Sequence, residues 1–153
     1  MRLILQRVSS ASVRVDGEMI SSIGAGVLVL VGVEKGDGAG QVSKVADKML
    51  HLRIFEDADG RMNRNILEVG GSLMIVSQFT LAGSLAKGRR PSFSAAEAPD
   101  KAEPLIQLLV DDLRRLGVPV ETGRFRAKMQ VDLVNDGPVT FILDVEPDCL
   151  PAP

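Results

Sequence analysis

The chain has 153 residues, 45% hydrophobic and 25% charged, with a net charge of −2. That length supports one domain with a real core, and the composition excludes a disordered tail, a collagen-like chain and a coiled-coil rod. One Cys and one His leave no material for an intrachain disulfide or a Cys/His zinc cluster, and five Phe with neither Tyr nor Trp argue against a binder that works mainly by base stacking.

No apolar run approaches the roughly 20 residues that a bilayer span needs. Gln6 and Arg7 stand where a signal peptide's apolar stretch would continue. The expectation is a soluble cytoplasmic protein with no membrane partner.

In chain order, Leu3, Leu5, Val8 and then Ala11, Val13, Val15 recur near the strand period, and Asp16-Gly17 signals a hairpin before Met19-Ile20. Val27 to Val33 is a short run of β-branched and aliphatic residues and reads as a buried strand. Lys35-Gly36-Asp37-Gly38 is a loop. Val42, Val45, Ala46, Met49 and Leu50 follow the i, i+3, i+4 rule and predict a helix over about residues 40–53. His51, near its end, reads as a surface or partly packed residue, because Leu50, Leu52 and Arg53 supply no orienting carboxylate. Asp57-Ala58-Asp59-Gly60 is a turn whose acids do not continue into a calcium loop.

Ser72 to Phe79 reads as a second apolar strand, followed by a polar loop from about Ala82 to Ala98. Pro99 suits a first helical position. Ala102, Leu105, Ile106, Leu109, Leu113 and Leu116 form an apolar stripe, and Gly117 and Pro119 stop the helix. From Arg124 to Glu146 the pattern reads as two strands joined at Asn135-Asp136-Gly137-Pro138. The sum is a mixed α/β, β-rich single domain over residues 1–146, with two packed helices and a frayed, Pro-rich tail at 147–153.

Three segments could carry chemistry, and each has a plainer reading. Ser77-Gln78-Phe79-Thr80-Leu81 crowds polar groups at a strand end, although Ser77 and Thr80 could simply satisfy backbone there. Lys87, Arg89 and Arg90, with no acid before Glu97, could hold phosphates, or form a solvated loop. Asn135-Asp136-Gly137-Pro138-Val139-Thr140 is most simply a turn, but it also offers main-chain carbonyls at a rigid corner.

These segments, with Leu5-Gln6-Arg7-Val8-Ser9-Ser10-Ala11-Ser12-Val13, closely resemble the D-aminoacyl-tRNA deacylase (D-tyrosyl-tRNA deacylase) family. Gly88-x-Arg90-Pro91-Ser92-Phe93, Ala98-Pro99-Asp100, Gly123-Arg124-Phe125 and Met129-Gln130 also fit, and the likeness runs to about residue 146. The resemblance implies a barrel-like core, a homodimer, and no metal or cofactor. It implies a hydrolase that cleaves the ester joining a D-amino acid, or mischarged glycine, to the 3′ ribose of tRNA, as chiral proofreading in translation. Ser77, Gln78, Phe79 and Thr80 would be catalytic. Gly137 and Pro138, joined by a cis bond and inserted in the partner's pocket, would set selectivity with Arg7 and Met129. Lys87, Arg89, Arg90, Arg124, Arg126 and Lys128 would contact tRNA. Arg126 and Lys128 depart from the resemblance, standing where a small and an acidic residue are usual.

The chemistry needs a placed water, a stabilised oxyanion and exclusion of the L enantiomer. The Phe79 and Thr80 N–H groups are the expected oxyanion donors. Either Thr80 attacks, or the terminal ribose 2′-hydroxyl helps activate water. The second route is preferred because Thr80 has no evident base partner. The competing classes are a non-catalytic nucleic-acid-binding module and a structural dimerisation module.

Overall fold

In the computed structural model, residues 1–147 are described. The predicted frayed tail, with Cys149, lies outside the described residues from position 148 onward. The chain opens with β1 (Arg2–Val15), β2 (Glu18–Ile23) and β3 (Gly26–Gly32). Helix α1 (Ala39–His51) follows, then a small hairpin of β4 (Phe55–Glu56) and β5 (Met62–Arg64). Next come α2 (Ile66–Val69), β6 (Ser72–Ser77) and a 3-10 turn over Phe79–Ala82. Helix α3 (Pro99–Arg115), β7 (Val120–Thr122) and β8 (Met129–Asp144) complete the chain.

One sheet runs in the order β2-β1-β3-β6-β7, with β8 added along β1. The β1–β2 and β1–β3 pairs are antiparallel, while β3–β6 and β6–β7 are parallel. The sheet is mixed because β3 reaches β6, and β6 reaches β7, only through helical crossovers. Strand β2 packs back against β6 and β7, so the sheet curls toward a barrel.

The run from Val27 to Val31 is buried on both faces. Val27, Val29 and Val31 join Leu73 and Ile75 under α1 and α3. Leu28 joins Met74 and Val76 in a second cluster inside the curl. Strand β1 serves both clusters, with Leu3 and Leu5 in the first and Val8, Ala11 and Val13 in the second. Val8 faces the second cluster by strand alternation, and a register shift between Val8 and Ser10 brings Ala11 and Val13 to the same side. The extra residue there reverses which face later side chains meet.

Three sequence expectations need correction. The carboxy-terminal region is not a hairpin of two strands. Strand β8 is continuous and antiparallel to β1 from Asp144 opposite Arg2 to Met129 opposite Val15. Asn135 to Thr140 spans the break in its register; both halves keep the same partner, so the corner bulges rather than reverses. Second, the described residues hold a third α-helix, α2, beside the two expected. Helix α2 is one turn, capped by Asn65, whose side chain accepts from Glu68 N–H at 3.0 Å while Glu68 accepts from Asn65 N–H at 2.6 Å. This reciprocal cap stabilises a helix too short to show a hydrophobic period. Third, His51 does have a carboxylate nearby: its Nδ1 lies 3.1 Å from Asp47 Oδ1, one helical turn back. Both side chains are exposed, which keeps His51 a surface residue.

The β4–β5 turn carries a pH-sensitive contact. Asp57 accepts from Asp59 and Arg61 N–H, each at 2.9 Å, and from Asn63 Nδ2 at 2.7 Å. Donation first from the Arg61 backbone and then from the Asn63 side chain holds its carboxyl below the ordinary 3.8. The stabilisation is therefore fully present above the unfolded value and is lost as pH falls through the lower folded one. Asn63→Ala is expected to move Asp57's titration up toward 3.8, read by carboxyl-carbon NMR. An unmoved titration would show that Asn63 contributes nothing.

Candidate functional site

A cavity of about 500 Å³ opens between the end of β6, the start of α3 and the segment leading into β8. Ser77, Gln78 and Phe79 form one wall; Phe125, Arg126 and Met129 form part of the other. Strand β6 ends at Ser77, where Gln78 N–H donates to the Val31 carbonyl at 2.8 Å. The chain then tightens into the 3-10 turn, whose first bond runs from Leu81 N–H to Gln78 O at 3.1 Å. The Phe79 and Thr80 N–H groups precede that bond and have no acceptor among the described residues.

Thr80 is exposed, and its Oγ1 accepts a hydrogen bond from Gln78 Nε2. An amide nitrogen that donates is not a base, so this contact orients the hydroxyl without activating it. Phe79 is 59% exposed and lies edge-on to Phe93, ring centres 5.1 Å apart. Across the cavity, Gly123 leaves room for Met129, since a Cβ there would sit 2.6 Å from Met129 Sδ.

Arg7, Gly137 and Pro138 form a separate cluster and do not line this cavity. The Gly137-Pro138 peptide is cis. The Asn135 side chain clamps the bulge at both ends: Oδ1 accepts from Val139 N–H at 3.1 Å and Nδ2 donates to Thr140 Oγ1 at 3.0 Å. Arg7, 5% exposed, braces it from β1. Its Nε donates to the Asp136 carbonyl at 3.1 Å and its Nη1 to the Ile54 carbonyl at 2.8 Å. Glu56 and the Asp136 carboxylate lie 3.4 and 3.5 Å from the same guanidinium. Arg7 is therefore no ordinary surface cation. Gly137 has φ +131°, and Gly137 and Pro138 are both exposed.

The basic residues divide. Lys87, Arg89 and Arg90 are exposed on the loop closed by the Ser84–Ser92 bridge, outside the cavity lining. Arg124 borders a smaller neighbouring hollow, Lys128 is exposed, and Arg126 lines the main cavity. Glu97 and Phe125 also line it. The sequence reading assigned neither a role; their available signals were the flanking Ala98-Pro99 helix start and the Gly123-Arg124-Phe125 turn.

A family profile described as D-Tyr-tRNA(Tyr) deacylase matches residues 4–144. A D-aminoacyl-tRNA deacylase of Thermomicrobium roseum is 60% identical over 144 residues, 94% of each chain. One of Syntrophotalea carbinolica is 55% identical over 144 residues, 94% of this chain and 97% of its own. A solved structure called c-Myc DNA Unwinding Element Binding Protein superposes with a TM-score of 0.91 at 38% identity, covering 95% of this chain and 99% of that one. A probable eukaryotic D-amino acid tRNA deacylase shares the fold, with a TM-score of 0.78 at 20% identity over 94% of this chain and 98% of its own.

Proposed function

The chain belongs to the D-Tyr-tRNA(Tyr) deacylase family, and on that premise we propose that it hydrolyses the ester between a D-amino acid and the 3′ ribose of tRNA while sparing the L ester. The observation that carries this reading is the cavity walled by Ser77, Gln78 and Phe79. Its volume falls within the roughly 300–1,000 Å³ usual for small-molecule sites. The terminal nucleoside enters between Phe125 and Met129, and the ester carbonyl meets the free N–H groups of Phe79 and Thr80. Such donors typically contribute about 2.7–4 kcal/mol each to stabilising the oxyanion.

The water oxygen attacks the ester carbon, the bond to the ribose 3′ oxygen breaks, and that oxygen leaves with a proton. The terminal ribose 2′-hydroxyl assists the attacking water; Thr80 orients and does not attack. Thr80→Val is expected to keep kcat within about tenfold, or about 1.4 kcal/mol of barrier. Near-complete loss with folding and tRNA affinity unchanged would restore Thr80 as the nucleophile.

Selectivity comes from a second copy of the chain. Among the described residues strand β8 pairs with β1 alone, which leaves a long free edge, and Val134 and Ile142 on it are 56% and 70% exposed. An uncovered edge with exposed apolar residues favours pairing. Exposed Gly137 and Pro138 fit a corner inserted into the partner's cavity. Their carbonyls leave no room for an L side chain, whereas glycine, having none, passes. Three cations, Lys87, Arg89 and Arg90, meet the tRNA backbone.

Deacylation of D-Tyr-tRNA beside L-Tyr-tRNA tests the reading directly. Hydrolysis of the D ester alone supports it. Binding without hydrolysis of either would favour a nucleic-acid-binding module.

A further inference from the structure

Arg126 has φ +61° and, among the described residues, is one of two non-glycine residues with positive φ, the other being Asp16. It follows Phe125 in a turn closed by Ala127 N–H donating to the Arg124 carbonyl at 3.2 Å. The third residue of such a turn takes positive φ at no steric cost only when it is glycine. An arginine held there against its preference points to use, since strain of this kind gathers at functional sites.

The side chain supplies a second, independent observation. Arg126 is exposed and lines the cavity, yet no hydrogen bond or ion pair engages its guanidinium among the described residues. Glu97, the other charged residue of the lining, has an acceptor oxygen already taken by Ala98 N–H at 2.8 Å. Arg124 and Lys128 flank Arg126, and no acid lies between Glu121 and Asp132. Among the described residues no carboxylate pairs with Arg124, Arg126 or Lys128, although Glu97 shares the cavity with Arg126 and Glu103 borders the hollow beside Arg124.

We propose that Arg126 grips the phosphodiester on the 5′ side of the terminal nucleoside of the aminoacyl-tRNA. This rests on the deacylase reading and deepens it. With the nucleoside inside the cavity, its 5′ phosphate leaves through the mouth, where a planar guanidinium can donate two parallel hydrogen bonds. Arg126 touches neither the ester nor the attacking water. It is a positioning residue, and its contribution falls on KM and not on kcat.

The test compares two esters, D-Tyr-tRNA and D-tyrosyl-adenosine, which lacks the phosphate. Arg126→Gln is expected to raise KM for the tRNA ester about 5-fold, as loss of one exposed ionic contact does. It should leave kcat, and both constants for the adenosine ester, unchanged. The slope of log KM against log salt should shrink by about 0.7, one single-strand phosphate contact. Arg126→Lys should recover part of the affinity, and Arg126→Gly should match the glutamine variant in KM while melting no lower than the parent.

Equal losses on both esters would overturn the proposal in favour of pocket shape. Loss that follows subunit dissociation by ultracentrifugation would overturn it in favour of a contact between copies, and an unchanged KM would overturn it outright. Gel-shift affinity for D-Tyr-tRNA is read on the same proteins. A parent that hydrolysed neither ester would end the deacylase reading, while Arg126 would stand or fall on a 5-fold weaker shift.

Discussion

Gly137→Ala is expected to lower kcat/KM for D-aminoacyl-tRNA by about 10²-fold, the scale of a misplaced positioning group, and to narrow the preference for the D ester. Two effects act together. At φ +131° an L side chain is strained in whatever space surrounds it, at a cost of about 1–3 kcal/mol. The added Cβ would also lie 2.7 Å from Val139 Cγ2 and 3.1 Å from Arg7 Nη2. Val139 is 7% exposed and Arg7 is held by its carbonyls, so neither gives way freely. The corner must move, and a filter that works by collision loses its aim. Steady-state deacylation of D- and L-Tyr-tRNA by the folded variant decides the matter. A variant that hydrolyses the D ester and spares the L ester as the parent does would refute the main-chain filter.

Arg7→Met separates bracing from bulk. Methionine fills much of the same volume but donates nothing to the Ile54 and Asp136 carbonyls, which Arg7 meets at 2.8 and 3.1 Å. Leaving such acceptors unpaired costs about 1–3 kcal/mol. The loss stays below that of a fully buried ion pair because Glu56 and Asp136 are 56% and 60% exposed and return to water. The expected result is a lower urea midpoint together with reduced D-over-L discrimination. Arg7→Lys should restore charge without the fork of donors and rescue little. If Arg7→Met shifts the urea midpoint yet leaves discrimination and rate intact, Arg7 supports the fold and not the filter.

The elements that were readable in the chain are those whose signal is local. Val27 to Val31 announced a strand buried on both faces, and Asp16-Gly17 announced the hairpin, adopting φ +52° and +83° there. Pro99 opens α3 and Gly117, at φ +94°, follows its end. Helix α1 ends at His51, two residues before the expected boundary, because the apolar period persists into Leu52 after the backbone has turned extended. Phe141 and Ile142 lie on the long strand β8. They have the residue types of a core strand, yet are 41% and 70% exposed on a free edge.

Composition, period and turn chemistry by themselves determined a mixed α/β domain, its principal strands and two longer helices, and the motif segments through which its family is legible. These depend on neighbours within a few residues, where sterics and side-chain spacing act directly. Tertiary structure alone decided that β8 is one strand and that the extra residue in β1 turns Val13 into a second core. It also brought Phe125 and Arg126 opposite Gln78, some fifty residues away in the chain. Those outcomes rest on register and on packing between distant segments, where a one-residue shift reverses every side chain and leaves no trace in the local pattern.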